Sequence, residues 1–134
     1  MKKITATIER SSDGSYSVYH KTDGMDFLIT GAGTSATEAK EEFLQNYQEM
    51  KDDYLERSAP WEDIEWEWQY DVSSFLQYYA YAFTLAGLSR ITGVSQGVLS
   101  HYVNGTSKPS QKQKERIQQR LHDFASTLAD VKFV

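Results

Sequence analysis

The chain has no cysteine. That absence excludes disulfide staples, thiolate metal sites and cysteine nucleophiles, and it fits a reducing compartment. Only three histidines occur, at positions 20, 101 and 122, and they do not form a metal-ligand spacing. No apolar run approaches the length of a membrane span. The opening Met1-Lys2-Lys3-Ile4-Thr5 alternates at once and carries no apolar signal core. No serine stands in a nucleophile-elbow context, and no acidic cluster marks the strand ends where a metal-dependent nuclease would need converging carboxylates. The expectation is a cytoplasmic protein with no catalytic residues, no metal, no cofactor and no membrane contact.

What is present is a sizeable core and an uneven charge. Apolar residues make up 40% of 134, including nine tyrosines, six phenylalanines and three tryptophans, so a disordered composition is excluded. The net charge of −5 is not spread evenly. Residues 1–83 carry 7 basic and 16 acidic side chains, a balance of −9, whereas residues 84–134 carry 7 and 3, a balance of +4. A basic half can approach phosphates and an acidic half is repelled by them. The split points to two modules with different partners.

The N-terminal half alternates with a period of two. Ile4, Ala6 and Ile8 share one face of a strand, and Ser12-Asp13-Gly14 makes a turn. Tyr16, Val18 and His20 form the returning strand of a hairpin. Phe27-Leu28-Ile29 reads as a short third strand, closed by Gly31-Ala32-Gly33. Ser35 and Glu38 make a capping box for a long helix whose inward stripe is Ala39, Phe43, Tyr47, Met50 and Tyr54, ending before Pro60. Ile64, Trp66, Trp68 and Tyr70 then share one face of the clearest strand, with Glu65, Glu67, Gln69 and Asp71 on the other. The Gly31-Ala32-Gly33 stretch before a helix lacks the full pattern of a phosphate cradle and reads as a strand-to-helix turn.

The C-terminal half is helical in texture. Val72 to Ala82 reads as a helix, and Leu85 and Leu88 hold a second one to the core. Gly93 ends that helix in a sharp turn, Val94 seals the corner, and Ser95 caps the next helix. Val98 or Leu99, then Tyr102, anchor it inward. Gln96, Gly97, Ser100, His101 and Asn104 are left outside, and Gly105 closes it. These outward residues are short and polar, which suits insertion into a major groove. Lys108 follows in a loop. Ser110 with Gln113 caps a last helix whose buried stripe is Ile117, Leu121, Phe124 and Leu128.

The run from Leu88 to Lys108, with its Gly-Val-Ser turn, Gln-opened helix and Asn-Gly before Lys-Pro, resembles the helix-turn-helix of Cro/CI-type (XRE) repressors. That resemblance implies that Gln96, Gly97 and Ser100 face bases, with His101 beside them, and that Ser95, Asn104 and Lys108 touch phosphates of duplex promoter DNA. Such domains usually pair across a two-fold half-site, so a homodimer or higher homo-oligomer is expected, through the sheet edge or the Val131–Val134 tail. The N-terminal half, with its Lys-Lys-Ile-Thr-Ala start, Asp13-Gly14 hairpin and capped helix at Ser35, resembles the HicB-like antitoxins. The implied fold is α+β: a small antiparallel-type sheet with one packed helix (partial RNase-H-like, βββαβ) over residues 1–71, followed by an all-α helix-turn-helix domain over 72–134. The implied function is that of a HicAB-type antitoxin. It would neutralise a small basic HicA-type toxin, an mRNA-cleaving ribonuclease, and repress its own operon. The alternative is a stand-alone repressor whose N-terminal half binds a ligand or only dimerises.

Overall fold

A computed structural model describes residues 1–21 and 24–134 of the chain. The fold is α+β, with a four-stranded mixed sheet and five α-helices among these residues. Two compact units divide at Ser74 and Phe75.

In the first unit β1 (Lys2–Arg10), β2 (Tyr16–His20), β3 (Thr30–Gly33) and β4 (Ile64–Tyr70) lie in the order β3-β2-β1-β4. The β1–β2 hairpin is antiparallel, with Ala6 opposite His20 and Ile8 opposite Val18. Its turn is held by Asp13, whose carboxylate accepts from the Ser15 amide at 2.9 Å and hydroxyl at 2.6 Å. Those two donors hold the Asp13 carboxyl below the usual carboxylate range. The expectation of an antiparallel-type sheet needs correction at β4, which runs parallel to β1 from Lys2↔Ile64 to Ile8↔Tyr70. The physical reason is the long helix α1 (Ala36–Glu56), which carries the chain over the sheet before β4 and so returns it in the same direction.

A second correction concerns β3. The strand is Thr30–Gly33 and not Phe27-Leu28-Ile29. Glycine is a poor strand former in general, but here its missing side chain is what the packing needs. A Cβ on Gly31 would fall 2.3 Å from the Ala39 carbonyl oxygen and 2.6 Å from the Phe43 nitrogen. On Gly33 it would meet the Ala39 nitrogen at 2.8 Å. The backbone of α1 therefore lies directly on β3, and the glycines form neither a loop nor a cradle. Ile29 is buried just before the strand, while Leu28 is 56% exposed.

α1 covers one face of the sheet. Ser35 caps it by accepting from the Glu38 amide at 3.1 Å. Glu38 in turn accepts from the Thr34 hydroxyl. Ala39 and Phe43 of the helix and Ala6, Ile8 and Val18 of the sheet are all fully buried. Phe43 meets Trp66 edge-on at 4.7 Å and Trp68 at 5.7 Å, an arrangement that aligns ring edges with ring faces. The helix ends at Glu56, four residues before Pro60. Lys51 in its later turns pairs with Asp63 at 2.8 Å. The pairing raises the Lys51 ammonium and lowers the Asp63 carboxyl relative to their ordinary values.

His20 sits inside this core, 4% exposed, with both ring nitrogens engaged. Nδ1 lies 2.7 Å from the Lys21 carbonyl and Nε2 lies 2.9 Å from the Ile29 amide. The amide can only donate, so Nε2 accepts and Nδ1 carries the proton. The histidine is thus a structural strut of the core.

α2 (Val72–Tyr78) spans the division and runs on, in the second unit, into a single 3₁₀ turn (Tyr79–Tyr81) rather than continuing as one helix to Ala82. Then come α3 (Leu85–Thr92), α4 (Gln96–Asn104) and α5 (Gln111–Ala129). Leu88, Val94, Leu99, Tyr102 and Ile117 supply its buried core. Phe83 meets Phe124 edge-on at 6.3 Å, and the Gln77 amide donates to the Val103 carbonyl at 2.8 Å. Leu128, expected in the buried stripe of α5, is 58% exposed, in the last turn of the helix, where Ile117 is its one buried residue. The Val131–Val134 tail has no regular structure and is exposed. No described helix is long and apolar enough to cross a membrane.

Candidate nucleic-acid interface

The site is built on the two turns that frame α4. Gly93 takes a left-handed backbone, φ 73°, and returns its amide to the Ser89 carbonyl at 2.8 Å. Gly105 repeats this at the far end, also at φ 73°. Neither conformation suits an L side chain with a Cβ, which is why glycine stands at both places. Thr92, buried at the corner, donates to the Leu88 carbonyl at 2.7 Å and accepts from the Val94 amide at 3.2 Å. The turn thus leaves no unsatisfied hydroxyl in the core. α3 is itself capped by Thr84, which accepts from Gly87 at 2.9 Å.

Ser95 caps α4, its hydroxyl accepting from the Val98 amide at 3.2 Å. Of the two possible anchors, Leu99 is the one turned inward, fully buried, and Tyr102 follows at 7% exposure. Val98 is 37% exposed and stands on the outside. Gln96, Gly97, His101 and Asn104 are also exposed, whereas Ser100 is half-buried on the flank. Nothing lies within 4 Å of where a Gly97 Cβ would be, so the helix is bare there. His101 Nδ1 lies 2.9 Å from the Thr106 hydroxyl, which donates to the His101 carbonyl at 3.2 Å and braces the end of the helix. Lys108 is exposed in the loop before α5, which Ser110 caps through the Gln113 amide at 3.2 Å.

The outer surface of α4 therefore offers amide, imidazole and methyl groups and no carboxylate. Its N-terminus is the positive end of the helix dipole, where the Ser95 hydroxyl takes the Val98 amide. Two features are not evident from the sequence. Val98 adds an apolar contact to the exposed side, a role its helix position alone does not separate from that of Leu99. Arg116 of α5 reaches back to the turn, its Nη2 3.4 Å from the Gly93 carbonyl.

The described part of the first unit offers different chemistry. The sheet face away from α1 carries Thr5, Thr7, Glu9, Tyr19, Glu65, Glu67 and Gln69. Tyr19 donates to Glu9 at 2.6 Å, and this bond raises the phenol above its ordinary value. Lys3 and Glu67 pair loosely at 3.9 Å. Among the described residues no three His, Asp or Glu side chains converge as a metal site. No protein-family model, curated protein or solved structure matches the chain.

Proposed function

We propose that the chain is a DNA-binding repressor of the antitoxin type. Its α4 enters the major groove of promoter duplex, and its acidic N-terminal unit holds a small basic toxin of the HicA kind. The observation that carries the DNA reading is α4 itself. It is anchored by Leu99 and Tyr102, capped by Ser95, bounded by left-handed Gly93 and Gly105, and bare along Gln96, Gly97, His101 and Asn104. Gln96 has the donor–acceptor pair that reads adenine, and Val98 suits a thymine methyl. Ser95, Asn104 and Lys108 supply phosphate contacts, and Ser100 contributes from the flank. The acidic face of the sheet supports the toxin reading, because a ribonuclease must carry a cationic surface for its own substrate. On this reading the N-terminal unit is a reduced RNase-H-like fold, the helices after it form the DNA-binding domain, and the protein works in the cytoplasm as a dimer or higher oligomer.

The test uses the duplex upstream of the protein's own gene, read by fluorescence anisotropy. Gln96→Ala is expected to lose preference for that duplex over an unrelated one while nonspecific affinity stays. Lys108→Ala is expected to weaken both and to flatten the salt dependence by about one unit of slope. Unaltered binding in both variants refutes the α4 assignment. Co-purification with a small basic protein encoded beside the gene tests the toxin half, and failure to form a complex leaves only the repressor.

A cleft of about 280 Å³ in the first unit, lined by Phe27, Tyr54, Trp61 and Ile64 with Asp26 and Glu62, favours a second reading. In it the N-terminal unit takes a small ligand and the protein is a stand-alone repressor.

A further inference from the structure

α5 sets three cations on one side at intervals of four residues: Lys112, Arg116 and Arg120. Together with Tyr102 of α4, Ser110 and Gln113 they line a groove of about 510 Å³. No carboxylate lines it. All three cations are exposed, and none is ion-paired among the described residues, where every ion pair falls within residues 1–67. The nearby acids of α5 are engaged along their own helix, Glu115 by Gln111 at 3.3 Å and Asp123 by Gln119 at 2.9 Å. Arg116 spends one donor on the long 3.4 Å contact to Gly93, which leaves most of its guanidinium for a ligand.

Like charges four residues apart on a helix repel each other, and this stripe contains two such steps, which the two carboxylates of Glu115 and Asp123, each three residues from a member of the stripe, offset only in part. A ligand that relieves the repulsion must be anionic. It must also be extended, because successive cations stand one helical turn apart, about 6 Å, rather than converging on one point. The groove starts at Ser110, two residues beyond Lys108, and shares Tyr102 with α4, so it continues the surface already described. Arginine forks suit the paired oxygens of phosphodiesters.

We propose that the α4–α5 groove is a phosphodiester track, in which Lys112, Arg116 and Arg120 contact successive backbone phosphates of the same duplex whose bases meet α4. The track rests on the DNA reading of α4 and extends its footprint along one strand. It contributes affinity without sequence preference, since phosphates carry no base information.

The experiment titrates full-length protein with two labelled duplexes, the upstream region and an unrelated sequence, between about 50 and 300 mM salt, a range over which phosphate contacts are strongly screened. The variants are Arg116→Gln with Arg120→Gln, the same pair changed to lysine, and Lys112→Gln alone. The double glutamine variant is expected to flatten the plot of log K against log salt by about 1.8 on both duplexes, and Lys112→Gln by about 0.9. The preference for the upstream duplex is expected to stay, and the double lysine variant to keep the wild-type slope. Circular dichroism melts check that each variant folds, and Lys112→Gln, which does not touch the Gly93 turn, keeps the test sound if the arginine pair does not. Parallel salt plots for wild type and glutamine variants, with the Gln96-dependent preference intact, overturn the track and leave α4 standing. Parallel plots with a changed molar mass in light scattering also overturn it and assign the groove to a contact between copies of the chain. Wild-type protein with no salt-dependent affinity for either duplex removes the DNA reading and the track together.

Discussion

Gly97→Glu separates the folding role of α4 from its binding role, because the two respond with opposite signs. Gly97 is the second residue of α4, and nothing lies within 4 Å of its missing Cβ. A larger side chain therefore meets no steric resistance. Glutamate is a better helix former than glycine by about 0.5 kcal/mol. In the first turn its charge also meets the positive end of the helix dipole, worth a further 0.3–1 kcal/mol by the usual order of magnitude, about 1 kcal/mol in all. For a unit of this size each kcal/mol moves the melting midpoint by roughly 4–8 °C. The variant should melt several degrees higher than wild type.

DNA binding should move the other way. If α4 lies in the groove, the new carboxylate stands within about 6 Å of a phosphate, and at an effective dielectric constant near 20 the repulsion is about 2–3 kcal/mol. That is a loss of roughly 30- to 150-fold in affinity at low salt. Gly97→Gln supplies the same bulk without charge and should lose much less. Calorimetry or chemical denaturation reads the first effect, and anisotropy on the upstream duplex reads the second. A folded Gly97→Glu protein that binds DNA as wild type does would refute the placement of α4 against bases. A variant less stable than wild type would refute the bare, capped first turn on which the reasoning rests.

Gly31→Ala should destabilise the first unit by about 1–3 kcal/mol, since its methyl meets backbone atoms of α1 that cannot rotate away; a melt unchanged from wild type would show that the β3–α1 contact yields easily. His20→Phe keeps the ring but removes the acceptor for the buried Ile29 amide, at a cost of about 1–3 kcal/mol read by urea titration. The Lys51–Asp63 pair predicts a two-sided pH dependence. Asp63, lowered, contributes stability present above the ordinary carboxylate value and lost as pH falls through its lowered one. Lys51, raised, contributes stability present below the ordinary ammonium value and lost as pH rises through its raised one. The melting difference between wild type and Lys51→Met should accordingly shrink at both extremes, and a difference constant with pH would contradict the pairing.

Features encoded locally are legible in the sequence. Ser35, Ser95 and Ser110 cap the helices assigned to them, and Gly93 and Gly105 take the left-handed turns, because a cap or turn is decided within four residues. The strand β4 is legible for the same reason, its period being unbroken. Its direction is not. Parallel pairing of Lys2 with Ile64 joins residues 62 positions apart, and no local signal reports it. β3 is misplaced when strand propensity is read from Phe27-Leu28-Ile29, because the packing of α1 selects the glycines that follow. At the candidate site the choice between Val98 and Leu99 turns on 100° of helix rotation, which the spacing of apolar residues leaves open. The basic stripe of α5 is visible as sequence, but its groove depends on Tyr102 and Gly93 from other elements.

The net charge of −5 is a poor guide to whether this chain can meet a polyanion. At physiological ionic strength charges interact over about 8 Å, so a phosphate senses the residues beside it and little else. Within the second unit the groove next to α4 is lined by Lys112, Arg116 and Arg120, with Lys108 in the loop before it, and these outnumber Glu115 and Asp123 of α5. At about 10 mM salt the range grows to about 30 Å, and charges over much more of the chain bear on such a contact. The full chain should then gain less affinity on dilution of salt than its phosphate contacts alone predict, so that the salt plot bends downward at its low end. A plot that stays straight to about 10 mM would mean that the acids of the first unit are already neutralised, or lie beyond the reach of the duplex.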